Sequence, residues 1–159
     1  MDNDLIQLAV GRFGRVLAFR LKPGQDFYLG MEEACKRAGI SNGVIVSALG
    51  SVNGAAFCDA DVLPGTYFGY GYSDPIRIDE VLELTAASGI VCHDGEGNIN
   101  LHVHVNFSDK NGTVYGGHLI EGTKVLITLD GIIAEVEGID MSRKLHEESG
   151  LMLFSPEQL

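Results

Sequence analysis

The chain has 159 residues, 45% of them hydrophobic, and a formal charge of −11 from 22 acidic and 11 basic residues. That length suits a single domain over residues 1–159, with a core large enough to fold without staples. The charge argues against a nucleic-acid coat, since such binding draws on clustered cations, and no apolar run is long enough to cross a bilayer.

The start, Met1-Asp2-Asn3-Asp4, lacks the basic opening of a secretory signal. Cys35, Cys58 and Cys92 are odd in number and far apart, which fits free buried thiols in the cytoplasm rather than disulfides. The arginines Arg12, Arg15 and Arg20 fall near one strand, and Arg143-Lys144 stand alone, so no basic cluster forms.

Val16 to Leu21 reads as a strand, and Lys22-Pro23-Gly24-Gln25 as a turn. Asp26 is placed to cap a helix over Phe27 to Ala38, with Gly39 as its left-handed stop. Val44 to Val52 reads as a strand bent at Gly50, continued by Ala55 to Ala60. Gly65 to Ser73 interleaves glycines with Tyr67, Phe68, Tyr70 and Tyr72. Such a stretch can stack on a base, but a mobile edge or a subunit contact is the preferred reading. Val81 to Ala87 reads as a strand and Cys92 to Gly97 as a polar turn. Val125 to Val136 holds one or two strands around Gly131, and Met141 to Phe154 a strand with a turn at Gly150.

The most informative segment runs from Leu101 to Ile120 and holds His102, His104 and His118. Alternate residues of a strand share a face, so His102 and His104 point one way and Leu101, Val103, Val105 and Phe107 the other. Asp109-Lys110-Asn111-Gly112 suits a type I turn with a left-handed glycine. That hairpin pairs Asp109 with Thr113, His104 with His118 and Phe107 with Tyr115, and continues to Val103 with Leu119 and His102 with Ile120. Apolar pairs then fall on one face and three imidazoles on the other; a one-residue slip breaks both. Three imidazoles at cross-strand spacing can reach one ion at about 2.1 Å each, leaving a fourth position open. A solvated strand face is the alternative. Gly116 and Gly117 are expected to leave room beside His118 for water or a ligand. Cys92, His93 and His146 are read as lying outside the site, with His146 exposed.

These residues resemble a known family. Leu101-His-Val-His-Val, Asp109-Lys-Asn-Gly112 and Gly116-Gly-His-Leu119 resemble the core motif of the PPC domain, which plants and prokaryotes share and which plants attach to AT-hook nuclear proteins. Arg20 to Asp26, Ser47 to Val52, Val81 to Leu84, and Arg143-Lys144-Leu145 with Ser149-Gly150-Leu151 extend the resemblance over about residues 10–155. It implies an α+β fold, a mostly antiparallel β-sheet with one main helix, assembled as a homotrimer. It also implies that some prokaryotic members carry a metal on histidines matching His102, His104 and His118. The DNA-binding label common among prokaryotic members comes largely through the plant proteins. Two departures weigh against DNA here: Gly11-Arg12-Phe13-Gly14-Arg15 lacks an AT-hook's proline and spacing, and the chain is acidic. Asp130 stands where the family usually has glutamate.

Three functions follow in order of preference. The first is a trimeric module that holds zinc or another divalent metal and binds a small molecule or a partner protein. No nucleophile motif, phosphate loop or cofactor fingerprint argues for more. The second is a metal-dependent hydrolase or lyase whose metal-bound water is acidified, with Glu83 as general base. The third is a DNA-associated regulator.

Overall fold

Asp26 begins the only helix among the described residues and shows how the chain is tied together. A computed structural model describes residues 5–159; the acidic tetrad read at the N-terminus lies outside them. The Asp26 carboxylate accepts from the Leu29 amide at 3.2 Å, from the Gly122 amide at 2.8 Å and from Lys124 Nζ at 3.3 Å. One buried side chain thus caps α1 (Phe27–Ala38) and pins a distant loop to it. Gly39, at φ 65°, closes the helix by donating to the carbonyls of Cys35 and Lys36. Phe27, Met31 and Cys35 recur every four residues and are fully buried, while Glu32–Lys36 and Glu33–Arg37 pair on the wet face.

The strands are β1 (Arg12–Leu21), β2 (Gly43–Cys58), β3 (Ala60–Val62), β4 (Tyr70–Tyr72), β5 (Ile76–His93), β6 (Ile99–Ser108), β7 (Val114–Leu119), β8 (Val125–Glu137), β9 (Ile139–His146) and β10 (Leu151–Gln158). Eight form one sheet in the order β1-β8-β2-β7-β6-β5-β9-β10, antiparallel except for a single parallel bridge from His93 to Ser142. β2 also pairs with β5, so β2, β5, β6 and β7 form a closed circuit of pairings. Inward residues of these strands and of β8, with the apolar stripe of α1, make one core that includes Leu84, Val103, Phe107, Leu129 and Ile133.

Several expected boundaries move. β1 starts at Arg12 rather than Val16, with an irregularity between Phe13 and Val16. β5 runs from Ile76 to His93, so Cys92 and His93 are strand residues and the polar turn begins at Asp94. The periodicity there is broken by a bulge between Leu84 and Ala86, which hides the strand's length from a period-two reading. The glycine- and tyrosine-rich stretch contributes β4 to a two-stranded ribbon with β3. The C-terminal segment is a full hairpin of β9 and β10, turned at Gly150 with φ 70°.

Two of the three arginines of β1 are neutralised by glutamates: Arg12 meets Glu137 at 2.8 Å and Arg15 meets Glu135 at 2.7 Å, while Arg20 donates to Thr128 Oγ1 at 3.0 Å. No helix among the described residues is long and apolar enough to cross a membrane. All three cysteines are free and buried, and burial pushes the thiols of Cys35 and Cys92 up to about 11.

Candidate metal centre

The hairpin of β6 and β7 forms in the expected register. His104 lies opposite His118, Val105 opposite Gly117 and Phe107 opposite Tyr115. The turn is set locally: Gly112 donates to the Asp109 carbonyl at 3.0 Å and takes φ 82°, which a side chain would resist. The Asp109 carboxylate accepts from the amides of Asn111 and Thr113, both at 2.8 Å. These bonds hold it ionised, with its carboxyl below the usual range. The pairing ends at His104 and His118. Leu119 pairs with Phe57 of β2 instead of Val103, and Ile120 falls outside β7.

On the inner face Leu101, Val103, Val105 and Phe107 are buried; on the outer face His102 is half-buried and His104 exposed. The three imidazole centroids lie 5.0 to 5.6 Å apart. One ring nitrogen from each of His102, His104 and His118 lies within 4.8 Å of the other two. A tetrahedral ion at about 2.1 Å from each would ask for nitrogens about 3.4 Å apart, a closure that rotamer adjustment can supply. His118 Nδ1 is buried without a hydrogen-bond partner. Such an atom costs energy unless something outside the protein satisfies it, and a divalent ion would. The all-imidazole donor set suits zinc and neighbouring transition metals better than calcium or magnesium.

Electrostatics agree with a set of neutral donors. Burial, then the neighbouring histidines and Arg143, lower His118 to about 4. Burial, Arg143 and His104 lower His102. An imidazole must be unprotonated to ligate, and His118 meets that condition throughout the neutral range. Its lowered value means that the metal-free fold gains stability from neutral His118 above pH about 6.5 and loses it as pH falls toward about 4. We expect NMR titration of the metal-free protein to place the His118 midpoint well below that of a free imidazole; a midpoint near 6.5 would contradict the burial seen here.

Two neighbours of the site are not tied to the histidines by the sequence. Tyr72 of β4 lays its ring 4.9 Å from that of His118. Arg143 of β9 donates from Nη1 to Asn100 Oδ1 at 2.9 Å, on the strand and face that carry His102. Both come from segments remote in sequence, so only the folded sheet joins them to the histidines.

Other expected residues fall elsewhere. Glu83 pairs with Ser108, four residues along β6 from His104, or about 13 Å at strand rise. It shares the histidine face but is not brought to the cluster. Gly116 and Gly117 do not open a space beside His118. A Cβ on Gly116 would meet the Val105 carbonyl, and one on Gly117 would meet Asp59 Oδ1 and Phe57, so these glycines let strands approach closely. His93 is a strand-to-strand latch, with Nε2 2.8 Å from Asp140 Oδ1 and Nδ1 3.0 Å from the Asp94 carbonyl. His146 is half-buried rather than exposed, packed against Tyr67 and Phe68 with Nδ1 2.9 Å from Ser149 Oγ.

A mostly antiparallel sheet with one amphipathic helix and three imidazoles gathered on its outer face defines a small α+β domain with a histidine cluster. The chain belongs to the Plants and Prokaryotes Conserved domain family, whose profile matches residues 8–137. The resemblance read at Arg143 to Leu151 lies beyond that stretch. Among solved structures, the metal-containing protein of Archaeoglobus fulgidus is 27% identical, covers 94% of this chain and 99% of its own, and superposes with a TM-score of 0.79. The plant- and prokaryote-conserved protein of Pyrococcus horikoshii is 25% identical over 94% of this chain and 97% of its own, also at 0.79. Among curated proteins, the bifunctional protein GlmU of Synechococcus sp. (strain JA-3-3Ab) is 29% identical over 87% of this chain, which spans 20% of that relative's length.

Proposed function

We propose that this protein is a trimeric metal-binding module, in which His102, His104 and His118 hold zinc or another divalent ion and leave one position open for a small ligand or a partner protein. The observation that carries this reading is the convergence of three imidazole nitrogens within 4.8 Å, one imidazole having a buried and otherwise unpartnered nitrogen. The metal-containing description of the Archaeoglobus relative supports it. Self-association is supported by exposed apolar side chains on β2 and β8, namely Val46, Leu49, Ile127 and Ile132. Three reduced thiols suit the cytoplasm.

Binding is favoured over turnover because Glu83, the expected base, stands about 13 Å from His104 along the sheet. Binding to DNA is disfavoured by the charge of −11 and by the glutamates that neutralise Arg12 and Arg15. Structural neighbours with a provisional DNA-binding name are 16% and 19% identical and share the fold alone.

The test is elemental analysis of purified protein together with its mass in solution by light scattering. One transition-metal ion per chain and three times the 17.1 kDa chain mass are expected. Metal-free protein after purification in zinc, or a stable monomer, would overturn the corresponding half of the reading.

A further inference from the structure

The group able to hold an ion consists of three histidines and no carboxylate among the described residues. Imidazoles are neutral donors, so a divalent ion on them would keep its full charge. The one formal charge outside the cluster that acts on both His102 and His118 is another cation, Arg143. Asn100 precedes His102 by two residues on β6, one step of about 7 Å along the same face. Arg143 is bonded to that asparagine. Beside it on β5 is Cys92, which pairs with Asn100 and is fully buried.

The guanidinium is held in place but not neutralised. Nη1 donates to Asn100 and Nη2 to the Met152 carbonyl, while Nε is buried with no partner. Arg12, Arg15 and Arg37 each face a glutamate; Arg143, like Arg20 and Arg77, has no carboxylate within ion-pair distance among the described residues, but unlike them it lies beside the histidines. The acidic side chain placed against β7, Asp59, abuts Gly117, which alternates with His118 and so faces the other way. A half-buried, rigidly placed arginine without a counter-charge is costly in isolation and favourable once an anion arrives. Arg143 comes from β9, beyond β5, while the histidines lie on β6 and β7, and its charge acts on both His102 and His118.

We propose that the open position of the site takes a small oxyanion, a carboxylate or phosphate group, which bridges the ion held by His102, His104 and His118 to the guanidinium of Arg143. This rests on the metal reading above. One oxygen completes the coordination, and another accepts from an Nη hydrogen of the arginine that Asn100 and Met152 leave free. The ring of Tyr72, 4.9 Å from that of His118, gives the site an aromatic wall.

The experiment uses the full chain loaded with cobalt(II), whose visible spectrum reports a change of ligand. Acetate and methyl phosphate are titrated separately, so that the two oxyanion sources are told apart. Cobalt content is measured for every sample. The wild-type spectrum is expected to shift saturably with at least one probe. Arg143→Gln is expected to keep one cobalt per chain and to bind the same probe about tenfold more weakly or worse. Arg143→Lys, which keeps the charge but loses the fork, is expected to fall between them and decides the matter if Arg143→Gln does not fold. Equal affinity in wild type and both variants, or a wild-type spectrum that no oxyanion perturbs, overturns the proposal and leaves the metal reading standing. Absence of bound cobalt in wild type overturns the metal reading, and the oxyanion with it.

Discussion

His104→Ala is expected to abolish stoichiometric metal binding while leaving the fold intact. The side chain is exposed on the outer face of β6, and its removal takes nothing from the core formed by the alternate residues. Exposed substitutions of this kind change stability by about 0.5 kcal/mol or less. The metal, by contrast, loses one of three protein ligands. Loss of an outer hydrogen-bond partner already weakens metal sites by about 10- to 100-fold, so loss of a ligand should exceed about 100-fold. Melting measurements make the contrast sharp. A ligand at about a thousand times its dissociation constant adds roughly 4 kcal/mol to the native state. In a chain of this size that raises the melting midpoint by about 8–16 °C. Wild type should show such a rise between chelator and zinc, and His104→Ala should melt at the chelator value in both. Asn106→Ala, on the same face two residues further, should keep the rise. A His104→Ala protein that still binds one zinc and still gains the same rise would mean that these imidazoles are not the site.

The site was legible in sequence to the extent that its residues are local. Register in the β6–β7 hairpin is set by Asp109 and Gly112 through bonds within five residues, and it must satisfy a buried and an exposed face together. Only one pairing does, and it is the one found as far as His104 and His118. The helix was legible for the same reason, since Asp26 and Gly39 mark its ends by local geometry. Features that depend on chain ends meeting in space were not. Arg143 and Tyr72 reach the site from the hairpin of β9 and β10 and from the ribbon of β3 and β4. Their neighbourhoods stand out in the sequence, Tyr72 in a glycine- and tyrosine-rich stretch and Arg143 in a segment of the family resemblance, but nothing there points to the histidines. The glycines beside His118 were misread because absence of a side chain signals either open space or close approach. The choice depends on Asp59 and Phe57 of a distant stretch of chain. The length of β5 was hidden by its bulge, which shifts the alternation by one residue midway.

β6 is also where packing and site share one backbone, and this gives the second large effect. Phe107 is fully buried, pairs with Leu84 and Tyr115, and lies 6.5 Å from the ring of Phe57. Phe107→Ala removes most of an aromatic side chain from a closed core and should cost about 3–5 kcal/mol, a large share of the about 5–15 kcal/mol that holds a domain together. Urea unfolding of the metal-free variant should show it. The consequence for the site is separable from the loss of stability. Residues alternate along β6, so relaxation around position 107 moves the backbone that aims His104, three residues away, and an ion tolerates little displacement of its ligands. Leu129→Ala supplies the comparison. Leu129 is equally buried but lies on β8, and its truncation should cost about 2–5 kcal/mol without disturbing the hairpin. Zinc affinity, measured by competition with a chelator under conditions where each variant is folded, should fall in Phe107→Ala and stay at the wild-type value in Leu129→Ala. Equal affinities in the two variants would show that the imidazoles are held by the turn alone, and that the packed face of β6 plays no part in aiming them.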